Sequence, residues 1–205
     1  AEQLVYIVNH AEDKVIFSDL TFLPVLAELL PKMPSVQHVI VMSDDEHLKG
    51  CPIPGALSFE ALVSQHSADC VWGGFDENTA AGLCYTSGTT GNPKGVLYSH
   101  RSNFLHTLVT MGVDVLGISA KDTVLPVVPM FHANAWGLAL SGPASGAKLV
   151  MPGQKLDGAS VHELLESEQV TFSAAVPTVW QMLLTHLRET NGKLTSLKRV
   201  VIGGS

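Results

Sequence analysis

An α/β fold built on parallel strands is what this sequence predicts, and three observations carry the prediction. Helical and strand-like apolar patterns alternate, helix, strand, helix, strand, within the first 42 residues, and the alternation resumes after residue 99. Hydrophobic residues make up 46% of the 205 and charged residues only 15%, so much of the surface is expected to be buried. Between two short apolar runs lies the stretch 85–95, YTSGTTGNPKG, with no acidic or large aliphatic side chain. Such a stretch cannot be a core strand or an ordinary helix, and reads as a loop between two strands that opens towards a helix near Ser99.

Taken in order, Leu4, Val5, Ile7, Val8 and Ala11 recur at helical spacing. Residues 15–17, Val-Ile-Phe, are β-branched and aromatic and read as a buried strand. Phe22, Leu23, Leu26, Leu29 and Leu30 return to a helix, with Pro24 tolerated in its first turn and Pro31 as its stop. Residues 39–42 form the next strand. The acidic run Asp44-Asp45-Glu46 reads as a solvated loop rather than a metal site. A Gly/Pro-rich turn over 49–54 precedes an amphipathic helix over 58–66. A polar connection over 73–78 then gives the best internal boundary, separating a first α/β segment, 1–78, from a second, 79–205.

Beyond the glycine-rich stretch, 99 to about 117 reads as a helix burying Phe104, Leu105, Leu108, Met111 and Val115. Residues 124–128 form a strand broken by Pro126, and 129–136 lead into another helix. A strand over 147–151 follows. Ser160-Val161-His162-Glu163 has capping-box spacing and is expected to start a helix that runs to about Glu168. A strand over 171–176, a helix opened by Pro177 and a strand over 197–202 complete the pattern. Both ends of the chain are abrupt, so a segment of a longer enzyme is expected.

A net charge of −7 excludes a broad electrostatic footprint for nucleic acid. The cysteines, Cys51, Cys70 and Cys84, form no CxxC pair and read as incidental thiols of a reduced, cytoplasmic chain. No basic-then-apolar leader opens the sequence. The uncharged stretch 123–147 is long enough to span a bilayer, but Pro126, Pro129, Pro143, His132 and Asn134 interrupt it. It reads as strand, loop, helix and turn in a globular core, so no integral membrane span is expected.

The stretch 85–95 is built to surround anionic oxygen: its glycines free backbone N–H groups, its hydroxyls donate, and Lys94 adds a point charge. It is not a Walker A loop, because Lys94 follows Pro93 and precedes Gly95, with no hydroxyl residue next to the lysine. Nor is it a dinucleotide fingerprint, since no glycine stands two positions before Gly88. A flexible surface linker would explain neither the single lysine nor the apolar runs at both ends.

What it does resemble, residue by residue, is the signature [YF]-T-S-G-T-T-G-x-P-K-G of the adenylate-forming (AMP-binding) superfamily, continued by Val96, Ser99 and His100 as V-x-x-[ST]-H. The resemblance implies the stacked α/β sandwich subdomains of that family's large N-terminal domain, here a partial domain without the C-terminal lid. It implies that Thr86, Ser87, Gly88, Thr89, Thr90, Gly91, Asn92, Pro93, Lys94 and Gly95 hold the β- and γ-phosphates of ATP, with Thr86 beside Mg2+. VPMFHANAW at 128–136 looks like the family's next motif, placing His132 near the substrate carboxylate and α-phosphate and Trp136 on the wall of the acyl channel. Without the family, His132 would read as a core histidine satisfied by a carbonyl. Ala175-Val176-Pro177-Thr178 resembles the support of the pocket floor, and Gly203-Gly204-Ser205 the turn against the adenine and the acyl group.

The implied chemistry is that of an acyl-CoA synthetase: a carboxylate attacks ATP to give acyl-AMP and pyrophosphate, and the coenzyme A thiol then displaces AMP. No catalytic side chain is implied within 1–205. The Mg2+-binding acid, the ribose aspartate and the adenylation lysine are expected beyond Ser205. The opening resembles bacterial fatty-acyl-CoA synthetases, which suggests a medium- or long-chain acid, while His-Ala-Asn-Ala-Trp is similar to 3-methylmercaptopropionate–CoA ligases, whose acid is a short thioether. A luciferase is disfavoured, and a homodimer is left open. The competing readings are a non-catalytic ATP-binding module and a phosphohydrolase.

Overall fold

Short helices bounded by prolines, glycines and side-chain caps alternate with strands of two to seven residues. The computed structural model describes residues 1–86 and 91–204. Two units are distinguished, Ala1–Gly74 with Ser87–Lys94, and Phe75–Thr86 with Gly95–Ser205.

In the first unit, α1 (Glu2–Ala11) ends where Glu12 turns left-handed, φ 55°. The strand β1 (Val15–Ser18) leads through a 3-10 turn, capped by the Asp19 carboxylate, into α2 (Leu23–Leu29), which carries Pro24 in its first turn. The strands β2 (His38–Val41) and β3 (Leu57–Ser58) follow, then α3 (Phe59–Ser64), whose first turn is capped by Ser58 accepting from the Ala61 N–H. They form a parallel sheet in the order β1-β2-β3, with Val15 opposite His38 and Ile40 opposite Leu57. Leu23 and Leu26 pack on Val39, Val41 and Ile53, and Val8 packs on Leu29 and Met33. The strand expected to be wholly buried is buried on one side only: Val15 is 40% and Phe17 58% exposed. As an edge strand β1 alternates, and among the described residues only the side carrying Ile16 and Ser18 is covered.

The strands β4 (Ala80–Thr86) and β5 (Lys94–Ser99), which lie in the second unit apart from Lys94, form a two-stranded sheet, so Tyr85, Thr86, Lys94 and Gly95 belong to strands rather than to the intervening loop. Ser99 caps α4 (His100–Met111) by accepting from the Ser102 N–H at 3.1 Å. This helix is shorter than expected and its burial is reversed. Phe104, Leu105, Leu108 and Val115 are exposed, Thr107 and Thr110 buried. Burial of the threonines is possible because their hydroxyls donate to the Asn103 and Thr107 carbonyls at 2.8 and 2.9 Å.

The strand β6 (Thr123–Pro126) is closed, not interrupted, by Pro126, and a single turn, α5 (Ala133–Trp136), precedes α6 (Leu138–Ser145). Next come β7 (Lys148–Leu149), α7 (Gly158–Ser167), β8 (Phe172–Ala175), α8 (Pro177–Thr190) and β9 (Arg199–Ile202). The four strands are parallel in the order β7-β6-β8-β9, with Val124 opposite both Leu149 and Phe172. Both faces of β6 and β8 are covered, as a parallel sheet requires. Leu125 and Ala175 meet Val161, Leu165, Trp180 and Leu183 of α7 and α8, while Val124, Phe172 and Ala174 meet Ala135 and Leu138. The capping box does not form. The N-cap of α7 is Asp157, accepting from the Ala159 and Ser160 N–H groups at 3.1 and 3.0 Å, so the helix is under way before Ser160.

One ionic network ties the edge strand β9 to the rest of this sheet. Burial alone would raise the Asp122 carboxyl, but hydrogen bonds from the Arg199 guanidinium, the Thr171 hydroxyl and Ser119 outweigh it and hold its pKa at about 2. Arg199 also donates to the Leu116 and Gly117 carbonyls at 2.6 and 2.9 Å. Among the described residues, no helix is long and apolar enough to cross a membrane.

Candidate functional site

The glycine-rich stretch begins at Thr86, the last residue of β4, and ends in β5 at Lys94 and Gly95. Ser87, Gly88, Thr89 and Thr90 lie outside the described residues, as does Ser205. Gly91 has φ 107°, a conformation that glycine alone adopts readily, Asn92 and Lys94 are exposed, and Pro93 is buried. A Cβ on Gly95 would come within 3.0 Å of Leu83 and 3.4 Å of the Tyr85 ring, so the approach of β5 to β4 depends on a residue without a side chain.

Beyond β5, α4 lines a cavity with exposed and half-buried polar side chains. Ser102 and His106, four residues apart and therefore on one face, line a cavity of about 370 Å3 together with Tyr98 and Asn103. The opposite wall is α5 with Gly137. This turn is left-handed: φ is 46°, 53°, 53° and 56° at Ala133, Asn134, Ala135 and Trp136, and 79° at Gly137. The i→i−4 hydrogen bonds are kept, from the Trp136 N–H to the His132 carbonyl at 3.3 Å and from the Gly137 N–H to the Ala133 carbonyl at 2.9 Å. An L-residue in a left-handed helix costs roughly 1–2 kcal/mol. Asn134 and Gly137 tolerate the conformation, whereas Ala133, Ala135 and Trp136 must be held in it by their surroundings.

Three contacts do the holding. Ala135 is fully buried in the cluster that contains Val124 and Leu138. The free thiol of Cys84 in β4 makes a long hydrogen bond to Asn134 Oδ1, at 3.9 Å. The His106 ring occupies the space beside Gly137, where a Cβ would lie 2.5 Å from its Cε1.

Trp136 and His106 also line a second cavity, of about 240 Å3, whose other walls include Leu138, Phe172, Ala174 and Val201. The indole is thus shared between two cavities. Gly203 approaches its edge, since a Cβ there would stand 3.1 Å from Cη2, and Gly204, φ 73°, lies against Val176. Trp136, Gly203, Gly204 and Val176 are therefore neighbours. His132 is exposed and immediately precedes the turn, which makes it no core histidine. Among the described residues, no three His, Cys, Asp or Glu side chains could together hold a metal ion.

Sequence reasoning missed Tyr98, Ser102, Asn103, His106, Asn134 and Gly137. The available signal was the polar stripe Ser102-His106 with Asn103, Thr107 and Thr110, which looks like the solvent side of a helix. The left-handed turn left no mark beyond Asn134 and Gly137.

The family model for AMP-binding enzymes matches residues 1–205. A medium-chain-fatty-acid–CoA ligase of Ectopseudomonas oleovorans is 51% identical over 204 residues, covering 100% of this chain and 37% of the relative. A 3-methylmercaptopropionyl-CoA ligase of Ruegeria lacuscaerulensis is 49% identical, covering 100% and 38%. Among solved structures, a long-chain-fatty-acid-CoA ligase (FadD1) from Archaeoglobus fulgidus superposes with a TM-score of 0.82 at 25% identity, covering 98% of this chain and 38% of that one. The chain thus spans a little over a third of the length of these relatives. With the family match running from the first residue to the last, and with the signature stretch leading from β4 through β5 into α4, the chain belongs to the AMP-binding enzyme family.

Proposed function

We propose that the protein is an AMP-forming acyl-CoA ligase that activates a fatty or short thioether carboxylate with ATP and then transfers the acyl group to coenzyme A. The observation that carries this reading is the continuity of the signature stretch, β5 and α4, the last of which presents Ser102, Asn103 and His106 to a cavity of about 370 Å3. In this reading residues 86–95 grip the β- and γ-phosphates, and Lys94 sits where charge develops on the departing pyrophosphate. The carboxylate attacks the α-phosphorus itself, so no nucleophilic side chain is required. His132 serves as a positioning residue near the carboxylate, while Trp136 and Gly203 bound the acyl group.

Mg2+ fits the Thr86 hydroxyl, since it takes oxygen ligands and keeps most of them from water and phosphate; when bound it neutralises phosphate charge. The relatives act on medium-chain fatty acids and on 3-methylmercaptopropionate. An indole shared between two cavities supports the shorter of these carboxylates, because a rigid ring fills volume that a long tail needs.

The test uses the intact protein with acids from propionate to palmitate and 3-methylmercaptopropionate, read as hydroxamate trapping and CoA-dependent AMP release. Hydroxamate with at least one acid, and AMP release that requires coenzyme A, are expected. Nucleotide binding without hydroxamate would instead identify a non-catalytic module, and ATP hydrolysis without a carboxylate would identify a phosphohydrolase.

A further inference from the structure

Away from the cavities of the candidate site, α7 and α8 bring two imidazoles together. His162 Nδ1 lies 3.2 Å from His186 Nε2, with ring centroids 5.2 Å apart. Two features build this pair into the fold. Gly158 lets α7 approach α8, since a Cβ there would collide with the Met182 carbonyl and stand 2.9 Å from His186 Cβ. Gly192 lies close beside His162, where a Cβ would stand 2.9 Å from the ring.

The second nitrogen of His162 fixes the tautomer. Nε2 lies 3.0 Å from the Lys193 carbonyl, which can only accept, so Nε2 carries the proton and Nδ1 carries a lone pair turned towards His186. A backbone carbonyl holding the far N–H of an imidazole is the usual outer support of a metal-bound histidine. The separation also fits: two nitrogens each about 2.05 Å from a tetrahedral ion stand about 3.3 Å apart. One turn along α7, the Glu166 carboxylate accepts from the Thr195 N–H and hydroxyl at 2.9 and 2.6 Å and adds negative charge near His162.

We propose that His162 Nδ1 and His186 Nε2 form a two-point clamp for a divalent transition-metal ion, joining α7 to α8. In the metal-free protein the His186 Nε2–H donates to His162 Nδ1. On binding, the His186 ring changes tautomer, its proton passing from Nε2 to its own Nδ1, and the freed Nε2 lone pair takes the metal beside His162 Nδ1, with no net proton change. Water completes the coordination. Nitrogen donors place copper(II) above nickel(II) and zinc(II) in affinity.

The test titrates the intact, untagged protein with Cu2+, Ni2+ and Zn2+ by calorimetry, beside His162→Gln and His186→Gln. One site per chain is expected, tightest for Cu2+ and weakened about tenfold or more by either substitution, with acyl-CoA formation by the metal-free variants unchanged. Should a variant fold poorly, proton NMR of the wild type decides: substoichiometric Cu2+ must broaden the Cε1–H signals of His162 and His186 before those of other histidines. Binding that survives His186→Gln, or broadening that starts elsewhere, overturns the clamp and leaves a simple imidazole hydrogen bond.

Discussion

Gly137 combines two requirements that are usually met by different residues. Its φ of 79° suits glycine, and the His106 ring fills the place of a side chain. Gly137→Ala is expected to destabilise the protein by about 1–3 kcal/mol and to lower carboxylate activation at least tenfold, measured by urea unfolding and by AMP release. His106→Ala in the same chain should restore part of the stability, because it removes the collision but not the backbone strain. Recovery of the whole loss would show that strain at 137 is negligible. Lys94→Ala should slow adenylation more than thioester formation from preformed acyl-adenylate, and equal losses in both steps would count against the proposed phosphate-binding role of the lysine. The two residues differ in legibility. Lys94 belongs to a contiguous stretch whose glycines and hydroxyls announce an anion site, whereas the role of Gly137 comes from His106, thirty-one positions earlier.

Among the elements, strands and helices were legible wherever composition or punctuation dominated: Pro24 and Pro177 sit in the first turns of α2 and α8 as read, and Pro31 follows the end of α2 at Leu29, where a stop was read. The two-residue β3 was not, because its pattern is too short to register and its pairing with β2 is parallel and remote. In α4 apolar spacing does not mark the buried face: Thr107 and Thr110 are buried, while Ser102, Asn103 and His106 line a cavity. The start of α7 was misplaced by a box motif three residues inside the helix. Asp157 satisfies two N–H groups there, and its carboxyl is held below the usual aspartate range by hydrogen bonds from the Ser160 N–H and hydroxyl. Asp157→Ala is expected to lower the urea unfolding midpoint, and Ser160→Ala to lower it less. Equal shifts would return the cap to Ser160.

For the molecule as a whole, the parallel sheet ends in an edge strand, β9, whose Val200 and Ile202 are exposed. Arg199 fastens it, reaching Asp122 and the carbonyls of Leu116 and Gly117 while its guanidinium lies 5.4 Å over the Phe172 ring. Asp122 has a folded pKa of about 2. The unfolded value is about 3.9, so the network contributes stability in full above pH of about 4 and loses it as pH falls towards 2. That contribution is about 2 kcal/mol. Comparison of wild type with Asp122→Asn across this window should show a gap that narrows as the pH falls, and a constant gap would mean that the network works through packing alone. The sequence disclosed none of this, because Asp122 and Arg199 lie far apart in the chain and each looks like a solvated charge.

The left-handed turn has a consequence in chirality. In a mirror, residues 133–136 trace an ordinary helical turn, so their local preference is for the opposite enantiomer. D-Alanine placed at 133 by chemical ligation should be favoured over L-alanine by about 1–2 kcal/mol, the reverse of its effect at Ala159 in α7. A ribosome cannot supply that residue. The protein instead holds the turn with the contacts of Cys84 and His106 and the buried packing of Ala135, and a molecule assembled with the mirror-image residue would need them less.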